Sequence, residues 1–209
     1  MTGTFDITLA IQQFKAAVDA SGADDVLMDY YILAFKEILK FFDAMGTIFG
    51  FVSSDIKSKI SILEEFRTNS EQKDKFASVK SMMDYEMSAE LLHKKDYVSG
   101  CRTLLRLHRG LDFTRNFLRK LAELNPDDKT NEACKISYQE TLADYHPFLI
   151  RKGANLAMYA LPTRDDLLHK VCDDVPKSVK LLPEMLNYTD IVYDRIQALY
   201  KKNDLLALP

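Results

Sequence analysis

The stretch Ser99-Gly-Cys-Arg-Thr-Leu-Leu-Arg-Leu-His-Arg-Gly-Leu111 carries two stripes at helical spacing. At about 100° per residue, Arg102, Arg106 and Arg109 fall within about 60° of one another. Phe113 and Phe117 continue that stripe, while Leu104, Leu107, Leu111 and Leu118 line the opposite side as an ordinary core seam. A helix over about Cys101–Leu124 thus has two faces that avoid solvent, and one of them runs from anion binders to aromatic rings. That pattern suits a ligand with an anionic head and an apolar tail. The alternative is a solvated arginine face paired with acids elsewhere.

Helical periodicity extends through most of the chain. Ile7, Ile11, Phe14 and Val18 mark a helix over Phe5–Ala20, stopped by Gly22. Further helices are predicted over about Asp25–Met45, from Gly46 to Phe66, over Phe76–His93, and over Asn131–Asp144. Arg67–Lys73 reads as a loop, and Asp96–Gly100 breaks the pattern ahead of the arginine helix. Pro147–Leu161 follows, with His146 near its N-cap and Pro147 at the favoured first position. Thr163 is placed to cap Arg164–Val171, and a last helix is predicted from Pro183 to Lys201. Without internal repeats or linkers, the expectation is one all-α domain, residues 1–209, of about eight helices.

Composition narrows the function. The 209 residues are 47% hydrophobic and 28% charged, an ordinary balance for a globule with a sizeable core. Only 7 Gly and 6 Pro argue for long helices and against an all-β fold. A net charge of −3 supplies no basic field for nucleic acid. The 3 cysteines, Cys101, Cys134 and Cys172, are odd in number and widely spaced, which points to a reducing compartment and no metal-binding pair. No secretory leader, membrane span or lipidation box is evident, the longest uncharged apolar block being Ala44–Val52. A cytosolic protein with peripheral membrane contact is expected. No glycine-rich phosphate loop supports a nucleotide site, and no serine or cysteine has an evident base partner for hydrolysis.

Two further features stand out. Ile48, Val52, Asp55, Lys59 and Ile62 share one helical stripe, which puts a charge pair among apolar neighbours. On a surface, Asp55 and Lys59 form a weak i,i+4 pair; within a buried face such a pair is costly unless it serves a ligand or a network. His146-Pro147 is the second. At a helix start the dipole favours the neutral imidazole, which can donate one hydrogen bond; a plain capping residue is the other reading.

Together these features resemble the glycolipid transfer protein superfamily, most closely its ceramide-1-phosphate transfer proteins. The likeness runs in order through Gly46-Thr-Ile-Phe-Gly-Phe-Val-Ser-Ser-Asp-Ile-Lys-Ser-Lys59, Ser99–Gly110, Tyr145-His-Pro-Phe-Leu-Ile-Arg151, Ala160-Leu-Pro-Thr-Arg164 and Leu205-Leu-Ala-Leu-Pro209. The resemblance implies a two-layer helical sandwich enclosing one sphingolipid, with no covalent chemistry and no cofactor. It implies that Asp55 accepts from the ceramide amide N–H and His146 donates to its carbonyl. Lys59, Arg102 and Arg106 match the positions that hold a phosphate head group.

Departures from the sugar-binding branch bear on the head group. That branch carries Asp-x-x-x-Asn-x-x-Lys and a Trp that stacks on the sugar. Here Lys59 stands at the Asn position, Ile62 follows three residues on, Arg106 takes the Trp position, and the chain has no Trp. The expected ligand is therefore ceramide-1-phosphate, with glycosphingolipid transfer or a ceramide-1-phosphate sensor as alternatives. Ile48, Phe148, Arg151 and Lys152 are the candidate membrane-docking residues, and a monomer is expected.

Overall fold

The computed structural model describes residues 4–46, 49–68 and 71–209. Among them lie nine α-helices and no strand: α1 Ile7–Asp19, α2 Met28–Ala44, α3 Gly50–Thr68, α4 Val79–Ser88, α5 Gly100–Glu123, α6 Asn131–Thr141, α7 Phe148–Tyr159, α8 Arg164–Val171 and α9 Val175–Lys202. Short 3-10 turns occupy Lys73–Phe76 and Ala143–Tyr145. The helices pack as the expected sandwich. α1 lies between α2 and α9, and α5 between α3 and α6; α2 against α3 and α9 against α5 join the two sets, and α7 rests on α6. One continuous apolar core runs through them, from Phe14 and Phe35 to Phe117, Val192 and Tyr200.

Local chemistry explains most boundaries. Asp6 accepts from the Thr8 and Leu9 amides at 2.9 and 3.2 Å and starts α1. Ser78 and Ser81 close a capping box on α4. Thr163 caps α8 through the Asp166 amide at 3.3 Å, as its position in the sequence suggests.

Most helix boundaries lie within about four residues of expectation, and three of the differing ones bear on the fold. α4 ends at Ser88, not His93, because Glu90 adopts a left-handed φ of 55°. The Leu91 amide then bonds back to the Glu86 carbonyl at 2.9 Å and the Glu90 amide to Met87 at 3.1 Å, a Schellman closure. α6 ends at Thr141 and tightens into the 3-10 turn. α9 begins at Val175 rather than Pro183, since Asp174 caps the Lys177 amide at 3.0 Å and Pro176 suits the first turn. Pro183 sits inside α9 on its exposed side, where it removes one backbone hydrogen bond.

The start of α5 is set by a buried carboxylate. Glu86 of α4 is fully buried and accepts from the Ser99 hydroxyl (2.5 Å), the Gly100 amide (2.6 Å), the Cys101 amide (3.1 Å) and the Tyr97 hydroxyl (3.0 Å). A negative charge against the unpaired amides of a helix N-terminus is favourable both as hydrogen bonds and through the helix dipole. Gly100 permits the approach: a Cβ there would lie 2.6 Å from Met82 Sδ and 3.1 Å from Phe76. Removing the carboxylate strands several buried donors, so Glu86→Ala is expected to lower unfolding free energy by about 3 kcal/mol or more in urea titration.

His108 lies in the buried seam between α5 and α9. Its Nε2 bonds Gln197 Oε1 at 2.7 Å and its ring stacks on Tyr193 at 4.3 Å. Burial pulls its pKa from 6.5 down to about 4. Between those values the unfolded chain binds the extra proton, so stability falls as pH drops from about 6.5 to about 4. The full loss is about 3 kcal/mol, with no contribution above pH 6.5. His108→Phe should remove that part of the acid slope in pH-dependent urea melts; an unchanged slope would assign it to other groups.

Candidate functional site

A cavity of about 530 Å³ opens between α2, α3, α5, α6 and α7. Its interior is apolar: Phe35 and Phe42 from α2, Leu107 and Phe113 from α5, Cys134 from α6 and Met158 from α7 are all buried lining residues. Burial pushes the Cys134 thiol up to about 12, so it stays protonated and serves as a small apolar wall group. The lining also includes Asp55, Lys59, Arg106, Arg109, Tyr138 and His146. Exposed residues mark the mouth, with Asp55 and Arg106 beside the apolar Phe51, Tyr145 and Ile150.

The two stripes of the sequence meet here. α3 presents Val52, Asp55, Ile56 and Lys59 to the cavity, and α5 presents Arg106, Arg109 and Phe113. Lys59 is buried and paired with the Asp55 carboxylate one turn before it, whose side chain is 64% exposed. Such a pair is weakly held, because the exposed carboxylate is screened by water. Arg106 faces the mouth with no carboxylate of the described residues at ion-pairing distance.

His146 lies one residue further from α7 than the sequence suggests. Pro147 is the N-cap and Phe148 the first helical residue. His146 is extended (φ −107°, ψ 135°), as a residue before proline prefers, and its amide bonds Ala143 at 3.2 Å. Its neutral form is favoured chiefly by burial rather than by the helix start: desolvation lowers the pKa, Asp55 opposes and Lys59 assists. The ring Nδ1 lies 2.8 Å from the Tyr138 hydroxyl. Tyr138 is a buried cavity residue that nothing in its local sequence distinguishes.

Arg102 is placed differently from its neighbours. It does not line the cavity; its Nη2 donates to the carbonyl of Tyr97 and, at 3.5 Å, to that of Lys94. Along α5, Arg102 and Arg106 are one turn apart. Arg109 does line the cavity, but its Nη2 donates to the carbonyls of Leu206 at 2.9 Å and Leu208 at 3.4 Å. Its guanidinium stacks 3.9 Å from the centre of the Tyr145 ring. Arg109 thereby holds the segment that brings Pro209 to the cavity wall. Phe148, Arg151 and Lys152 are exposed at the start of α7, where Leu149 joins them at 78% exposure; Ile48 lies outside the described residues. No helix of the described residues is long and apolar enough to cross a membrane.

What fold and site define is an all-helical sandwich around an apolar cavity with charged residues at its mouth. Residues 26–173 match the family model "Glycolipid transfer protein". A ceramide-1-phosphate transfer protein of Danio rerio is 37% identical, over 100% of each chain. The crystal structure of the mouse ceramide-1-phosphate transfer protein, in its apo form, superposes with a TM-score of 0.90 at 35% identity, covering 98% of this chain and 100% of that one. The human ceramide-1-phosphate transfer protein in complex with 2:0 ceramide-1-phosphate gives a TM-score of 0.88 at 34% identity, covering 99% and 100%. The chain belongs to the glycolipid transfer protein family.

Arg109→Ala removes the donor that holds the last segment. Amide exchange at Leu208, whose N–H bonds Leu205 at 3.2 Å, is expected to rise about tenfold while exchange within α5 stays unchanged.

Proposed function

We propose that this protein binds ceramide-1-phosphate and moves it between membranes without covalent chemistry. One observation carries the reading: Asp55, Lys59, Arg106 and His146, which come from three separate parts of the chain, line the same cavity as Phe35, Phe42 and Phe113. The names of the relatives agree with it. A transfer protein that only carries its ligand needs no catalytic group, and we read residues 1–209 as one such domain.

In this reading the ceramide amide N–H donates to Asp55, and His146 donates to the amide carbonyl. The phosphate is held by Lys59 and Arg106, with Arg102 reaching it through the guanidinium N–H groups not used on the Tyr97 and Lys94 carbonyls. Arginine suits this task because its planar fork makes parallel bonds to phosphate oxygens. As the phosphate takes up Lys59, the Asp55–Lys59 pair loosens and Asp55 turns to the amide. The tails enter among the aromatic and aliphatic side chains.

Selection falls on the polar end. Each CH₂ transferred from water to an apolar setting gains about 0.8 kcal/mol, but tails moving from bilayer to cavity exchange one apolar setting for another. A cation left unpaired beneath a neutral head group costs about 1–3 kcal/mol or more. Lys59 and Arg106 therefore discriminate against uncharged ceramides and simple glycolipids. The exposed Phe148 and Leu149, flanked by Arg151 and Lys152, serve to dock the mouth on an anionic membrane face, on the cytosolic side.

The test is transfer of labelled ceramide-1-phosphate between vesicles, run beside labelled galactosylceramide. Fast transfer of the phosphate lipid with little transfer of the sugar lipid is expected. Asp55→Ala and Arg106→Ala should each reduce transfer more than tenfold with helical circular dichroism unchanged. Equal transfer of both lipids would remove the phosphate role from Lys59 and Arg106. Tight binding without turnover would make the protein a sensor.

A further inference from the structure

His146 has two ring nitrogens, and a neutral imidazole carries one proton between them. Which nitrogen is protonated decides whether the residue offers a donor or an acceptor to the cavity. The structure supplies the group that sets this choice. Tyr138, on α6, is buried, and its hydroxyl oxygen lies 2.8 Å from His146 Nδ1. The two rings are 5.6 Å apart, tilted by 38°. Among the described residues, the Tyr138 hydroxyl is the hydrogen-bond partner of the His146 ring, which leaves Nε2 for the cavity that both residues line.

Backbone geometry fixes the other coordinates of the pair. Pro147 keeps His146 extended, and the 3.2 Å bond from the His146 amide to Ala143 anchors it to the turn that follows α6. The side-chain torsions χ1 and χ2 are the freedom left, and the hydrogen bond to the tyrosine hydroxyl restrains them. A phenol is an O–H donor at neutral pH, and desolvation raises the Tyr138 pKa further.

We propose that Tyr138 is a positioning residue: its O–H donates to His146 Nδ1 and holds the imidazole as the Nε2–H tautomer, aimed to donate to the carbonyl of the bound lipid amide. This rests on the reading that His146 binds that carbonyl. A second-sphere hydroxyl that orients an imidazole follows the logic by which outer groups orient the histidines of metal sites.

Tyr138→Phe in the full chain tests it, because Phe keeps the ring and deletes only the hydroxyl. Long-range ¹⁵N–¹H spectra of the His146 imidazole at neutral pH are expected to show the Nε2–H tautomer in the wild-type chain and a mixture in Tyr138→Phe. Ceramide-1-phosphate transfer should fall about tenfold in Tyr138→Phe with an unchanged melting temperature. In a His146→Ala background, Tyr138→Phe should have no further effect on transfer. An Nδ1–H imidazole in the wild-type chain overturns the proposal, as does wild-type transfer by Tyr138→Phe. An undiminished loss in the His146→Ala background reduces Tyr138 to packing and overturns it equally. The spectra separate this from the function itself: the expected tautomer change in a chain that moves no ceramide-1-phosphate sinks the lipid reading alone.

Discussion

A single long helix has to serve as core and as ligand wall at once, and the rest of the molecule is arranged around that requirement. α5 buries Leu104, Leu107, Leu111 and Leu118 in the core, while Arg106, Arg109 and Phe113 line the cavity. Such a helix has little solvent-facing surface along which to slide or rotate. Its register is set at the N-terminus, where the buried Glu86 receives the amides of Gly100 and Cys101 and Gly100 lets α4 approach. It is locked along its length by α9, through His108 with Gln197 and through Arg115 and Arg119 with Asp190. A rotation of α5 by one residue would carry Arg106 away from the mouth by about 100°.

The second consequence is a boundary between dry and wet that runs across the cavity. Aromatic side chains close the interior, and the charges stand where water still reaches them. Lys59 is the exception, buried and paired with the exposed Asp55. A buried cation with one partially solvated partner sits between the stable extremes of a free surface charge and a fully satisfied buried pair. In the proposed reading that intermediate setting is useful for recognition, because a ligand anion would replace the pair at small cost. Arg109, on α5, is by contrast committed to backbone carbonyls and to Tyr145.

Much of this was legible along the chain because α-helices express themselves at short range. The i, i+4 and i, i+7 stripes placed Asp55 with Lys59 and Arg106 with Phe113 before any tertiary information. Thr163 announced α8. Where reading failed, the deciding interaction was either a backbone choice without a residue signature or a contact from far along the chain. Glu90 takes a left-handed conformation without being glycine, which cut α4 short. Pro183 resembles a helix start, yet the cap at Asp174 nucleates α9 well before it. The arginine wheel treated Arg102, Arg106 and Arg109 alike. Their different fates come from carbonyls of the Lys94–Tyr97 loop and of Leu206 and Leu208, which a helical projection does not contain.

The sequence by itself determined the all-helical class and the amphipathic division of α3 and α5. These follow from composition and from a period of 3.6 residues, both local properties. Only the tertiary structure decided that α3, α5 and the turn before α7 converge on one cavity, that Tyr138 meets His146, and that Arg109 holds the last segment rather than the mouth. Those outcomes depend on which helices lie side by side. That is settled by the packing of the whole core, where each buried face selects its neighbour by shape and volume rather than by any pattern within its own segment.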